Sequence, residues 1–255
     1  MARSFSLLLA ATVAVAGYAE EPACRPDGLL LFPAPGSVVP TNVQWILEGV
    51  GKEQTRVSDL VGTQGVSLLA DDGTAIPLKV ERGWVSQAMR VAVKLRAPKP
   101  LAPDTRYTLV LGPGLAGATA LNDLQAATRP TWTTASGPDR DAPRYRSRPA
   151  VSEGRYTAGP KEPLVRQLRI RVAVEEKGPS YFVVSMQRMR GSAVRQQYPV
   201  AVEGDSIIIG HDACGGTFGF EDGRAYRLVL ELFDSAGNHN SEHASLEVSA
   251  PRPAR

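Results

Sequence analysis

The residues whose chemistry is easiest to recruit are few. There are three histidines, His211, His239 and His243, and two cysteines, Cys24 and Cys214. A zinc site needs three or four N, S or O ligands converging in a tetrahedron. His239 and His243 stand at i, i+4 in "HNSEH". On a helix that spacing aligns two ligands; on a strand it separates them by about 13 Å. The stretch follows a Gly-Asn turn, and Glu242 is misplaced for the His-Glu-x-x-His motif of metalloproteases. Solvated loop and edge histidines account for the pattern better. No Gly-x-Ser-x-Gly elbow occurs. "ACGGTFGF" around Cys214 is glycine-rich, with His211 nearby, but no partner held in a fixed geometry can be read from it. "GPGLAG" at 112–117 lacks the Lys-Ser/Thr of a phosphate loop. The chain thus carries no legible catalytic constellation, and the reading is non-enzymatic. A metal-assisted hydrolase is the remaining enzyme reading. No cofactor is expected.

Acidic turns, tryptophans and tyrosines come next. Asp71, Asp72 and Gly73 suit a hairpin turn, and so do Asp234, Gly237 and Asn238. Calcium takes six or more oxygens, more than two scattered pairs supply, so turn chemistry is the simpler account. Trp45 alternates with Val43 and Leu47, which points to a core. Trp84 follows Gly83 in a hairpin-like stretch and is the possible ligand contact, a platform for a sugar ring if exposed. Tyr107 in "LAPDTRYTLVLG" and Tyr226 in "FEDGRAYRLVLEL" each open an alternating apolar run. In a sandwich, a tyrosine at that place bonds its hydroxyl to backbone a few residues upstream, a tyrosine corner. The arginines from Arg140 to Arg171 would suit an anionic polysaccharide or lipid headgroups. Asp139, Asp141, Glu153 and Glu162 dilute their charge, and a solvated face is the plainer reading.

The elements that must position these residues are strands. "NVQWILEG" sets Val43, Trp45 and Leu47 on one face; "MRVAVKLRA" sets Val91, Val93 and Leu95 inward and Arg90, Lys94 and Arg96 outward. "LRIRVAV" aligns Leu168, Ile170, Val172 and Val174, and "YRLVLELFD" aligns Tyr226, Leu228, Leu230 and Leu232. Short period-two segments divided by Gly, Pro, Asp and Asn indicate β-sandwiches. Long capped patterns of 3.6 period are missing.

With 255 residues, 43% of them hydrophobic and 22% charged, the chain is ordinary globular material for one or two domains. A net charge of +3 lacks the basic stripe of a nucleic-acid binder. Residues 1–19 read as a secretory signal: Arg3, the apolar run Phe5 to Ala16, and "GYA" before a cut after Ala19, with Ala16 as the rival site. No later run is long enough to span a membrane as a helix. The expected product is secreted, to the periplasm, the cell surface or beyond. In an oxidising compartment Cys24 and Cys214 suggest one disulfide. Two free or intermolecular thiols are the alternative. Lipidation of Cys24 is a third reading, which Glu20, Glu21 and Pro22 oppose by breaking the apolar run.

The organisation read from the chain is a signal at 1–19, an N-terminal segment at 20–28, a first domain at 29–136, a linker at 137–143, a second domain at 144–250 and a tail at 251–255. "FPAPGSVVPTNVQWILEG", "LLADDGTAIPLKVE" and "MRVAVKLRAPKPLAPDTRYTLVLG" occur in this order. Together they resemble the bacterial Ig-like domain of S-layer and other surface proteins. The family's acidic turn after strand F is degenerate here, in "GPGLAGATALNDL". The second half, through "GRAYRLVLELFDSAGNHNS", resembles fibronectin-III or Ig-like modules. The resemblance implies two tandem all-β sandwiches with a structural, adhesive or protein-interaction role in the envelope or exterior. Its partner would be an envelope or extracellular protein or polysaccharide. A carbohydrate- or calcium-binding surface module is the alternative.

Overall fold

The computed structural model describes residues 27–118, 129–159, 162–190, 195–213 and 215–253. The signal-like segment, Cys24 and Cys214 lie outside the described residues. Almost every element is a strand. The first half comprises β1 (Gly28–Phe32), β2 (Val38–Val39), β3 (Gln44–Val50), a short helix α1 (Glu53–Ser58), β4 (Val66–Ala70), β5 (Ala75–Pro77), β6 (Lys79–Val85), β7 (Arg90–Arg96), β8 (Arg106–Leu111) and β9 (Thr131–Thr134). They form two sheets, ordered β1-β3-β7-β6 and β2-β9-β8-β4-β5. All pairs are antiparallel except β2 with β9. The chain changes sheets between β1 and β2, and the consecutive strands β3 and β4 lie in opposite sheets. This is the immunoglobulin arrangement.

The second half comprises β10 (Arg144–Gly159), β11 (Glu162–Glu175), β12 (Ser180–Arg188), β13 (Arg195–Ala201), β14 (Ser206–Asp212), β15 (Gly215–Gly216), β16 (Ala225–Asp234) and β17 (Ala244–Ser249). Its sheets run β10-β11-β14-β15 and β13-β12-β16-β17. This division, with a crossing strand pair at β13 and β14, is the fibronectin-III-like form of the same sandwich. Among the described residues no helix is long and apolar enough to cross a membrane.

Period-two burial builds both cores. Trp45 and Leu47 are fully buried, with Val93, Leu95 and Leu109 around them. Trp132 meets Trp45 edge to face at 5.8 Å and 66°, a favoured geometry for aromatic pairs. In the second sandwich Ile170, Phe182, Val184, Leu228, Leu230 and Leu232 are buried to the same degree. Tyr107 Oη accepts the Ala102 amide at 3.1 Å, and Tyr226 Oη accepts the Glu221 amide at 2.9 Å. Each bond ties the head of a central strand to the crossover five residues upstream. Tyr107→Phe is expected to lower stability by about 0.5–1.5 kcal/mol, read by denaturant unfolding, with ligand binding unchanged.

α1 has no alternating or helical signature of its own. It forms because Val57 is buried, and because Arg56 binds Glu53 at 2.9 Å and donates to the Gly114 and Ala116 carbonyls.

Candidate functional site at the junction of the two sandwiches

The sheet β1-β3-β7-β6 turns one face to its own core. Gln44, Ile46 and Glu48 of β3 and Arg90, Ala92 and Lys94 of β7 share the opposite face by register. On sequence this is the solvent side. In the structure much of it meets the second sandwich. Ile46 and Ala92, 6% and 0% exposed, belong to the hydrophobic core of the second sandwich, and Phe32 and Trp84 pack against it. Arg90 is correspondingly withdrawn from water and binds Glu48 at 3.0 Å.

Hydrogen bonds hold this apolar contact at both ends. At one end the Gln44 amide donates to the Ser235 carbonyl at 2.7 Å, and Gln44 Nε2 donates to the Ala236 carbonyl at 2.9 Å. The receiving turn is built by Asp234, Gly237 and Asn238. Asp234 Oδ1 accepts the Ala236 and Asn238 amides at 2.8 and 2.9 Å, and Oδ2 accepts Asn238 Nδ2 at 2.8 Å. Gly237 has a φ that favours glycine, and lacking a Cβ it leaves room for the Gln44 side chain. Its φ is +87°, and a Cβ there would stand 2.3 Å from Gln44 Nε2. Asp139, between the sandwiches, is gripped from both sides: Asn42 Nδ2 donates to its carbonyl at 2.7 Å, and Asn238 Nδ2 does so at 3.3 Å. At the other end the turn between β6 and β7 meets β15. Ser86 Oγ donates to the Gly216 carbonyl, and the Gly216 amide to the Ala88 carbonyl, at 2.8 and 2.7 Å.

Two features at the junction could act on a ligand. One is a cleft of about 380 Å³, walled by Phe32, Ile46, Glu48 and Arg90 from one side and by Tyr181 and Val200 from the other. Tyr198 is buried beside the Glu48–Arg90 pair. Burial, and then the Glu48 carboxylate, raise its phenol well above the ordinary value. The other feature is acidic. Carboxylate oxygens of Asp139, Glu176 and Asp234 lie within 4.8 Å of one another, the one such three-residue grouping among the described residues. A set of carboxylates suits a hard cation that takes oxygen ligands. Burial, partly offset by the Asn238 hydrogen bonds, raises the Asp234 carboxyl from 3.8 to about 6. Between those values the folded state holds more protons than the unfolded state, so this group's contribution to stability falls as pH rises from about 4 to 6. Asp234→Asn is expected to flatten that segment of the pH–Tm profile. An unchanged profile would show that the carboxyl titrates normally.

The remaining candidate residues do not converge. His211 Nδ1 lies 3.2 Å from both the Phe218 carbonyl and the Phe220 amide. Burial, the largest cause, lowers its pKa. His239 packs on Phe233 at 5.7 Å, and His243 is exposed. Trp84 is half-buried on the inter-sandwich face, with Lys94 Nζ 6.0 Å from its ring. The Asp71–Gly73 turn closes the β4–β5 hairpin, with Asp72 Oδ1 accepting the Thr74 amide at 2.8 Å. The junction residues Asn42, Gln44, Ile46, Glu176 and Ala92 carry no local sequence signal.

No family model matches the chain, and no curated protein matches it. Among solved structures, pullulanase type I from Bacillus subtilis str. 168 complexed with maltose is similar at 8% identity and a TM-score of 0.26, over 92% of this chain and 28% of that one. The N-terminal part of the bacterial S-layer protein SbsC is similar at 13% identity and 0.27, over 87% and 44%. The chicken CNTN1 FN1-FN3 domains are similar at 10% identity and 0.26, over 91% and 65%. The chain spans less than two thirds of the length of each. At these scores the fold assignment rests on the strand order itself, which makes the chain an all-β protein of Ig- and fibronectin-III-like sandwiches.

Proposed function

We propose that the protein is a secreted, non-catalytic interaction protein of the cell envelope or exterior, whose two sandwiches form one rigid frame. The observation that carries this reading is the junction. Ile46 and Ala92 of the first sandwich lie in the core of the second, and hydrogen bonds close the contact at both ends. Such a frame fixes the separation and orientation of its outer faces and loops, which an architectural or adhesive role needs. The signal-like segment 1–19 supports export. The test is retention of the purified, mature chain on isolated envelope material, run beside assays for hydrolysis of glycans, esters and peptides. Saturable retention without turnover is expected. Turnover abolished by substitution within the junction would overturn the reading.

Export would also make one Cys24–Cys214 disulfide the expected state of the two cysteines, as an oxidising compartment favours it. A Cys24–Cys214 peptide in a non-reducing digest is expected; a diacylglyceryl mass on Cys24 would contradict it.

A second reading is favoured by the Asp139–Glu176–Asp234 grouping: a divalent cation such as calcium clamps the segment between the sandwiches to the second one. A ligand that binds only the folded state at 100 times its Kd adds about 2.7 kcal/mol. A rise in Tm with millimolar calcium that Glu176→Gln removes supports it; no rise leaves the grouping a hydrogen-bonded junction.

A further inference from the structure

β10 and β11 together carry seven arginines and three glutamates. Their surroundings divide the arginines. Arg166 is used internally: it donates to the Phe220 carbonyl at 3.1 Å, binds Asp222 at 2.7 Å and lies over the Tyr156 ring. Arg169 meets Glu153 at 3.6 Å and Ser206 Oγ at 2.9 Å. Arg144, Arg146, Arg148, Arg155 and Arg171 are exposed, and none has an ion-pair partner among the described residues.

Arg144, Arg146, Arg148 and Arg155 lie on the edge strand β10, and Arg171 stands beside them on β11, opposite Ala150. β10 is the outer strand of its sheet. Val151 and Gly154 stand opposite the buried Ile170 and Leu168. Arg155, opposite Gln167, and Arg144, opposite Glu175, therefore face outward with Arg169 and Arg171. Arg146 and Arg148 sit at the register shifts between Tyr145 and Ala150. Eleven residue steps from Arg144 to Arg155 span about 35 Å of strand. The acids facing this row are Glu153, already matched to Arg169, and Glu175, opposite Arg144. The row is thus a long, narrow stripe of excess positive charge, in which Arg146, Arg148, Arg155 and Arg171 face no acid across the β10–β11 ladder.

Its form selects a partner. Pro149, which has no amide to donate, and four register shifts in the pairing with β11 make β10 an irregular edge, which opposes the addition of a peptide strand. Val151 is the one large apolar side chain exposed on the strand, too little for insertion at a lipid surface. A linear polyanion needs neither a ladder nor an apolar face. Guanidinium groups bind carboxylate and sulfate through paired hydrogen bonds. We propose that the β10 edge docks a linear anionic polysaccharide bearing carboxylate or sulfate groups. The inference rests on the interaction-protein reading above and names its partner class.

The test uses the full mature chain and three glycans: polygalacturonate, heparin and neutral dextran, by calorimetry at 50 and 200 mM NaCl. Wild type is expected to bind both polyanions, more weakly at the higher salt, and to ignore dextran. The variant R146S/R148S/R155S/R171S changes four exposed, unpartnered side chains and should keep its Tm. It is expected to bind about tenfold more weakly or worse, four exposed ion pairs being lost together. Glu153→Gln should strengthen binding. Equal binding by the quadruple variant overturns the proposal, as does tighter wild-type binding to phosphatidylglycerol vesicles or duplex DNA than to either glycan. If wild type ignores polyanions yet is retained on envelope material, this inference falls and the broader reading stands.

Discussion

Trp132→Ala is expected to destabilise the first sandwich by about 3–5 kcal/mol, the range for removing a large buried aromatic. The side chain is 1% exposed and packs edge to face on Trp45. It also has a positional task. Its Nε1 donates to the Pro33 and Ala34 carbonyls, both at 3.1 Å. Those carbonyls lie where the chain leaves β1 and crosses to β2 in the other sheet. One indole therefore fills the core and pins the crossing that closes the sandwich. Trp132→Phe keeps most of the volume and loses the donor, so it should cost about 1–3 kcal/mol for carbonyls left unmatched. Urea unfolding of the three proteins separates the contributions. A Trp132→Phe variant as unstable as Trp132→Ala would assign the whole effect to the hydrogen bonds.

Ile46→Asp is expected to act differently, on the union of the sandwiches. Its side chain points away from the first core and is 6% exposed because the second sandwich covers it. A carboxylate there would be buried next to Glu48, with Arg90 already engaged. Removing the apolar contact and burying an unpaired charge together should cost about 3–5 kcal/mol. The loss should fall on the junction, leaving each sandwich folded at reduced stability. Ile46→Val, which keeps the contact, should cost about 0.5–1.5 kcal/mol.

The contrast between these two positions shows what was legible. Trp45, Leu47, Leu109, Ile170 and Leu228 alternate with polar neighbours, and the pleat turns that alternation directly into inward and outward faces. The all-β fold follows. The same alternation sends Arg90 and Lys94 outward, and Gln44, Ile46, Glu48 and Ala92 share their side by register. The second sandwich nevertheless covers much of that side; period two reports which residues share a face and not what covers it. The length of β10 was hidden for a related reason. β10 starts at Arg144, where the sequence places the second domain after the 137–143 linker, but Pro149, Gly154 and the charges of an edge strand with little burial on either face obscure how far it runs. α1 is six residues long, shorter than two helical turns, and tertiary contacts hold it. The Asp234 turn was readable as a turn, through Gly237 and Asn238. Its docking against Gln44, and the approach of Asp139 and Glu176, join residues from four separate segments. No local spacing encodes that.

The central claim is that the two sandwiches behave as one rigid body. Differential scanning calorimetry of the mature, oxidised wild-type chain beside Ile46→Asp tests it most directly. Wild type is predicted to unfold in one endotherm with equal calorimetric and van't Hoff enthalpies, the mark of a single cooperative unit, while Ile46→Asp splits it into two. Two separable transitions in wild type, unaltered in position by Ile46→Asp, would contradict the account.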